Sequence, residues 1–570
     1  MPKASEAEIV QRALDRYQLA RNGLNEFSQV HQVLADYCRP TNESAGRGPT
    51  TSTPNSVAKS VRLFDSTAVL CVQKHASGIK SWMSPAQNNW FSYEPPDAFA
   101  DDEEINSWYA KCTAVVEKML ARSMFHSADH ECMLDGAAFG IRCLFTDIDE
   151  KTGNIIAQQW EPGTFAILEN AEGYVDSVFR EKAFTAKQAL EKFGADMLPE
   201  TTAKEGAEAS KAGNKRQYVH CIYPRIDSER DGNFPMLAPN MTIASVWIDI
   251  EAKKIVRNSG FDEMPAVASR YLKWGDSVYG TGAALIALAD ARQLNKLQER
   301  LDIKIDKLIN PAMLVPDEMD EDEVNLAPGG VTFYRDPQRI PRPLEMIASN
   351  GQEEMLRVNM RKESIRDAFF LNIFEAVTRK TKEMTALEAQ LISQEAIDLF
   401  SPMFVRLTNE HYGPTLTRVF NMLLRRSEIA RSVGDVQNIV FPEVPRKLIR
   451  VVGNMAEVPP PVVNYTSRIA LALKQIHAAA LSRSIQRRME IGNVIGAEAF
   501  DDINLPVALK SVDRADGLPE KFFRSPDEVQ AMQQQRQQMQ AMQAQASAAK
   551  DASVAAKNVK GTPAEALLQP

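Results

Sequence analysis

The stretch GAALIALADARQLNKLQERLDIKIDKLI, Gly282 to Ile309, decides how this chain is built. It runs without proline until Asn310-Pro311 stops it. Leu294, Leu297, Leu301, Ile305 and Leu308 recur at close to 3.5-residue spacing, with Lys and Arg between them. A seam that narrow packs on other helices more than in one broad core. At about 1.5 Å per residue, the helix it predicts spans roughly 40 Å.

Downstream, residues 311–345 hold Pro311, Pro316, Pro328-Gly-Gly330, Pro337, Pro341 and Pro343 around the short strand Val331-Thr-Phe-Tyr334. That composition predicts a compact turn-and-strand insert. A second helix covers about 351–373, followed by the basic break Ala376-Val-Thr-Arg-Lys-Thr-Lys382. The chain turns helical again at Met384-Thr-Ala-Leu-Glu388, where Thr385 and Glu388 fit a capping box and leave the basic segment outside the helix. The third helix is expected over 387–424, bent near Pro402 and Pro414. Helices that leave a body, carry an insert and return describe a part projecting from a larger assembly. Cations on the return path point to an anion passing nearby.

Upstream, periodicity predicts helices over 5–38, 57–81, 101–122 and 126–138, with the Ser/Thr/Gly/Pro-rich loop 41–56 between the first two. From Cys143 to Ile255 the pattern changes to short alternating strands: 155–160, 174–179, 217–223 and 243–248, interrupted by a helix at 185–194. Strand-like residues recur at Val440-Phe441 and 448–452. Helices at 466–490 and 493–499 follow Pro459-Pro-Pro461, then a helix-prone Gln/Met/Ala-rich tail. The fold class is α+β, mainly helical, with an antiparallel sheet on helices.

Composition narrows the function. The chain has 570 residues, 44% apolar and 25% charged, with a formal charge of −9. These are globular values, and the negative balance argues against clamping duplex DNA by wholesale phosphate neutralisation. It leaves room for a surface along which DNA slides. Six scattered cysteines form no Cys-x-x-Cys pair and fit reduced thiols. The N-terminus lacks the apolar core of a secretory signal, and no apolar run suits a membrane span, so no membrane partner is expected.

Catalytic motifs are weak. His126, His130 and Cys132 share a helix but lack a fourth metal ligand, so no metal and no cofactor is expected. His220 and Cys221 are adjacent on a strand and point to opposite faces, which rules out a thiol–base pair. Tyr279-Gly-Thr-Gly282 opens the long helix and reads as a hinge rather than a phosphate loop. The acidic clusters Asp101-Asp-Glu-Glu104 and Asp317-Glu-Met-Asp-Glu-Asp-Glu323 read as solvated faces, the second as an interface on the insert. Arg379, Lys380 and Lys382 are the better lead, suited to non-specific contact with phosphate backbone.

In order along the chain, Phe64-Asp-Ser-Thr-Ala68, Trp82-Met-Ser-Pro85, Trp90-Phe91, Tyr279-Gly-Thr-Gly282, the Pro-rich insert, Met384-Thr-Ala-Leu-Glu388 and Val463-Asn-Tyr-Thr-Ser-Arg468 resemble the portal, or head-to-tail connector, proteins of short-tailed phages. The resemblance spans about 60–530 and rests on the order of these features. It implies a portal-type fold and a dodecameric ring around a DNA channel, without catalysis. Carried onto this chain, 1–282 and 385–457 form the wing, 283–309 and 349–373 the stem, and 310–348 an α/β clip. Residues 374–384 form the tunnel loop and 458–530 a helical crown, with 531–570 a helical barrel or disordered tail. Arg379, Lys380 and Lys382 then face double-stranded DNA. Asp317, Glu318, Asp320, Glu321, Asp322 and Glu323 of the clip dock the terminase large subunit and later a tail adaptor or tail tube protein. Leu294, Leu297, Leu301, Ile305 and Leu308 pack the stem. Major capsid and scaffolding proteins are the remaining partners, and the virion's portal vertex is the location. The rivals are a virion adaptor or scaffold protein without a DNA channel, and an enzyme with an unrecognised site.

Overall fold

The computed structural model describes residues 5–40, 63–87, 89–100, 102–149, 152–230, 237–309, 313–314, 342–343, 351–372, 374, 400–435, 438–452 and 455–466, with scattered positions between 481 and 542. The chain divides into two compact units, one of Met1–Ala98 with Trp108–Ile469, the other of Phe99–Ser107 with Ala470–Pro570. In the second unit, Asn106 Nδ2 donates to the carbonyls of Ala100 and Asp102. The expected helices at 466–490 and 493–499 lie almost wholly outside the described residues.

The first unit opens with α1, Glu6–Cys38, started by a capping box in which Ser5 and Glu8 satisfy each other's amides. The expected helix at 57–81 is α2, Thr67–Met83, and starts later than periodicity suggests. Asn295 Oδ1 accepts the amides of Phe64 and Asp65, and Asp65 Oδ1 accepts that of Thr67, so residues 63–66 are held outside the helix, while 57–62 lie outside the described residues. Strand β1, Phe91–Glu94, pairs antiparallel with Val462–Tyr465. The next helices, α3 (Glu103–Arg122) and α4 (Phe125–Phe139), lie close to their expected bounds.

Two antiparallel sheets follow, and the α+β class stands. Strands β2 (Ile141–Ile148) and β3 (Ile155–Trp160) join β9 (Ala266–Arg270) in the order β3-β2-β9. The larger sheet runs β4 (Phe165–Glu169), β5 (Val175–Thr185), β6 (Lys215–Pro224), β7 (Ile243–Asp249), β8 (Lys254–Phe261), each beside the next. Helices α5 (Ala186–Phe193) and α6 (Glu200–Ala207) fill the gap between β5 and β6. Phe184, Phe193, Tyr218 and Trp247 make their core with this sheet. On its other side α1 is pinned by Arg12 to Glu229 at 2.6 Å, Arg16 to Ser177 at 2.8 Å and Tyr17 to Glu181 at 2.7 Å.

The long helix is α7, Ala283–Ile309, and its return partner is α8, Gly351–Ala368. Of the third expected helix, the part from Phe400 is described. It passes through a π-helical turn, Thr408–Tyr412, before α9, Gly413–Val433. Near Pro414, where a bend is expected, the described feature is this turn: Gly413 N–H bonds five residues back to Thr408, in front of a proline that has no amide to donate. The pair Val440 and Phe441 is not a strand, because Ser427 Oγ accepts both amides.

Candidate functional site: a helix hairpin and the segments it carries

α7 and α8 run antiparallel. Lys304 Nζ lies 2.8 Å from Glu354, while Asp290 accepts from Arg361 at 2.5 Å and from Ser364 at 2.6 Å, so one numbering falls as the other rises. The body end of α7 is anchored by small residues: Ala283, Ala284, Ala287, Ala291 and Leu294 are buried. Gly282 sits so close to the end of α4 that a Cβ there would lie 2.4 Å from the Ala137 carbonyl. Gly140 closes the same contact from the other side, at φ +79°. The Tyr279-Gly-Thr-Gly282 motif is thus a close-packed hinge against α4.

Along the apolar seam, exposure rises away from the body. Leu294 is 1% exposed, Leu297 and Leu301 are half-buried, and Ile305 and Leu308 reach 50% and 60%. Ile309 beside them is 77% exposed, and Met355 and Leu356 on α8 are 61% each. The five seam residues therefore do not share one fate within a single chain: the near end packs on the body, and the far end presents aliphatic surface.

The charged candidates, Asp317, Glu318, Asp320, Glu321, Asp322, Glu323, Arg379, Lys380 and Lys382, lie outside the described residues. The chain on either side of them is described. Met313–Leu314 pairs antiparallel with Arg342–Pro343, which closes the base of the insert. Phe374 and Phe400 meet with ring centroids 5.3 Å apart, and both pack on Trp82, at 4.6 and 5.9 Å. Residues 375–399 thus leave and return at one aromatic anchor on α2.

Behind this anchor lies a buried polar hub that sequence reasoning missed. Asp129 on α4 accepts from Lys80 Nζ at 2.6 Å, Ser84 Oγ at 2.7 Å, His411 Nε2 at 3.1 Å and Tyr412 OH at 3.2 Å. Burial favours its acid form, but the Lys80 ammonium and the His411 contact outweigh that and hold Asp129 far below the usual carboxylate range. Burial lowers His411 against the pull of Asp129, so the ring is a neutral donor through Nε2. Its Nδ1 meets Ser269 Oγ at 3.2 Å, and that hydroxyl accepts from the buried Arg142 Nε at 2.9 Å. A second clamp joins Arg270 to Glu169 and, at 3.0 Å, to Glu410 of the π-helical turn. The hub ties α2, α4 and the helix returning from 399 into one block. No sequence spacing announces it, since Lys80, Asp129 and His411 come from three distant segments.

The other candidates are not gathered. Cys132 donates Sγ–H to the Cys143 carbonyl at 3.5 Å, and among the described residues no group of His, Cys, Asp and Glu forms a metal cradle. His220 bonds Ser245 at 2.8 Å on one face of β6, while the neighbouring Cys221 is buried. Asp102 accepts the Glu104 and Ile105 amides, an ordinary helix start with Glu103 and Glu104 in the first turn. No helix among the described residues is long and apolar enough to cross a membrane.

Comparison with known proteins puts these features in a family. The portal protein of Salmonella phage epsilon15 is 23% identical over 560 residues, covering 97% of this chain and 95% of that protein. The probable portal protein of Bordetella phage BPP-1 is 23% identical over 447 residues, 75% of this chain and 76% of the relative. A chain from the virion of a native gene transfer agent particle overlaps 68% of this chain and 90% of its own length at 10% identity and a TM-score of 0.32, too low to add to the argument. The family described as bacteriophage head to tail connecting protein matches residues 10–523, and this chain belongs to it.

Proposed function

We propose that the protein is a portal: a ring at one vertex of the phage head, non-catalytic, through which double-stranded DNA enters during packaging and leaves on ejection. The observation that carries this is the hairpin's far end. Exposed Ile305, Leu308, Ile309, Met355 and Leu356 are costly in water and are covered when copies of the hairpin stand side by side. The two curated relatives named as portal proteins support the same reading.

In this reading α7 and α8 are the stem, 310–348 the clip and 374–384 the tunnel loop. Residues 1–282 with 385–457 are the wing, and 458–530 the crown. The acidic clip residues dock the terminase large subunit and then the tail, and Arg379, Lys380 and Lys382 touch DNA lightly inside a net-acidic conduit. The closed bases at Met313–Leu314 and at Phe374 with Phe400 suit loops held at fixed points of a ring. Electron microscopy of the purified chain tests the proposal. A ring of about twelve copies with an axial hole is expected on this symmetry argument, and a monomer under all conditions sinks it. Replacing Arg379, Lys380 and Lys382 by Ala is expected to impair DNA packaging or retention while rings persist; loss of rings makes that segment structural.

A further inference from the structure

The larger sheet carries a row of cationic and aromatic side chains to which nothing above gives a role. Strand register places Arg180 on β5 beside His220 on β6, His220 beside Trp247 on β7, and Trp247 beside Arg257 on β8. These four lie abreast on one face, with neighbouring strands about 4.8 Å apart. His220 stacks on Trp247 with centroids 4.3 Å apart at 10°. Arg180 lies 4.5 Å over the Trp160 ring. Lys192, reaching from α5, stands 4.0 Å over Trp247 and 4.7 Å over Phe184, and Lys182 stands 5.3 Å over Phe184.

Four cations thus converge on an aromatic floor, in a chain whose net charge is −9. Among the described residues none of the four forms an ion pair, and Arg180 Nε is buried without an acceptor. Burial lowers Arg180 to about 10, with Cys143 and then Glu161 acting against it. Burial, then the charges of Lys182, Arg180 and Arg257, lowers Lys192 to about 8. Such a cluster is relieved by an anion. Guanidinium forks beside point-charge ammonium groups suit a polyanion with several oxygens. The ring faces are already covered by Lys192 and Arg180, so stacked bases have no platform, and contact falls on the backbone.

We propose that this cationic patch binds the phosphodiester backbone of double-stranded DNA without reading its sequence, through residues other than the 375–399 segment. The choice of polyanion rests on the portal reading above.

The test uses the full chain and fluorescence anisotropy with a short DNA duplex, in a background where Arg379, Lys380 and Lys382 are Ala. There, Lys192→Gln with Arg257→Gln is expected to weaken binding roughly tenfold or more at low salt and to reduce the log–log salt slope by about 2. The charge-keeping pair Lys192→Arg and Arg257→Lys is expected to retain binding, which separates charge from folding. In the unaltered chain, DNA is expected to shield Lys192 from amine acylation. Unchanged affinity in the glutamine variant, an unshielded Lys192, or tighter binding of a polyglutamate peptide than of DNA overturns the proposal. Electron microscopy of the same samples separates the two readings: rings with no patch-dependent DNA binding sink this inference alone, and a wild-type chain that never forms rings sinks the portal.

Discussion

The two ends of α7 obey different rules. At the body, alanines and Leu294 are buried against a block held by Asp129, and Gly282 permits backbone contact with α4. At the far end, Ile305 and Leu308 are as aliphatic as Leu294 yet half or more exposed. One helix thus carries an intramolecular foundation and a surface that single-chain folding leaves unfinished. The difference teaches that an unbroken heptad-like seam does not specify one partner: where the chain supplies a body the seam packs on it, and where it does not the seam stays exposed, the surface proposed above for a second copy.

The largest expected effect tests the foundation. Asp129→Ala leaves Lys80 as an uncompensated buried cation and removes the acceptor of Ser84, His411 and Tyr412. A loss of about 3–5 kcal/mol in unfolding free energy is expected by denaturant titration. A loss under about 1 kcal/mol means the block does not depend on the hub, and the contrast between the ends weakens.

Acid probes the same block. Burial lowers His31 and His75 to about 4, so both are neutral when folded. The unfolded chain takes up their protons below about 6.5, so stability is full above that pH and is lost as pH falls toward 4. Asp135, raised by burial to about 6, and Glu117, raised by burial to about 7, have the opposite sign over part of that window. The buried histidines outnumber them, with His220 and His411 also lowered by burial. A lower melting temperature at pH 5 than at pH 7 is expected. His31→Leu is expected to shrink the accompanying loss of unfolding free energy between pH 7 and pH 5 by roughly 2 kcal/mol; an unchanged pH slope shows that His31 is not a contributor.

The hinge gives an effect of similar size. In Gly282→Val, the added Cβ meets the Ala137 carbonyl at 2.4 Å and the Gly136 carbonyl at 2.8 Å, backbone atoms that cannot rotate away. A cost of roughly 1–3 kcal/mol is expected from thermal melts. Wild-type stability in that variant means that α7 pivots freely on the body, against a rigid foundation.

Much of this fold was legible because it is local. The helix over 5–38, the 3.6-residue pattern of α3 and α4, the alternation of Ile155–Trp160 and the length of α7 depend on neighbours within a few residues. What was missed depends on distant partners. Asn295 sets the start of α2 from more than two hundred positions away, and Ser427 removes Val440 and Phe441 from strand pairing. Lys80, Asp129 and His411 meet through tertiary packing alone, as do Arg180 over Trp160 and Lys192 over Trp247, with Arg257 beside Trp247 across the strands. Among the candidate site residues, the seam was readable from spacing; its division into a buried and an exposed half was not, since exposure depends on where the body ends.

The smallest effect on stability carries the most weight for assembly. Ile305→Ser with Leu308→Ser replaces two side chains that are 50% and 60% exposed, so the unfolding free energy of the single chain should stay within about 0.5 kcal/mol of wild type. Ring formation, followed by native mass spectrometry or electron microscopy, is expected to fail or to require much higher protein concentration, because each copy loses apolar contact on the surface shared with its neighbour. Leu294→Ser, at 1% exposure on the same seam, is expected to do the reverse: it destabilises the chain itself by leaving a buried hydroxyl and a cavity. If the far-end pair destabilises the single chain as strongly as Leu294→Ser, both ends of α7 are foundation. The exposed half of the seam then has no claim to be the stem's contact surface.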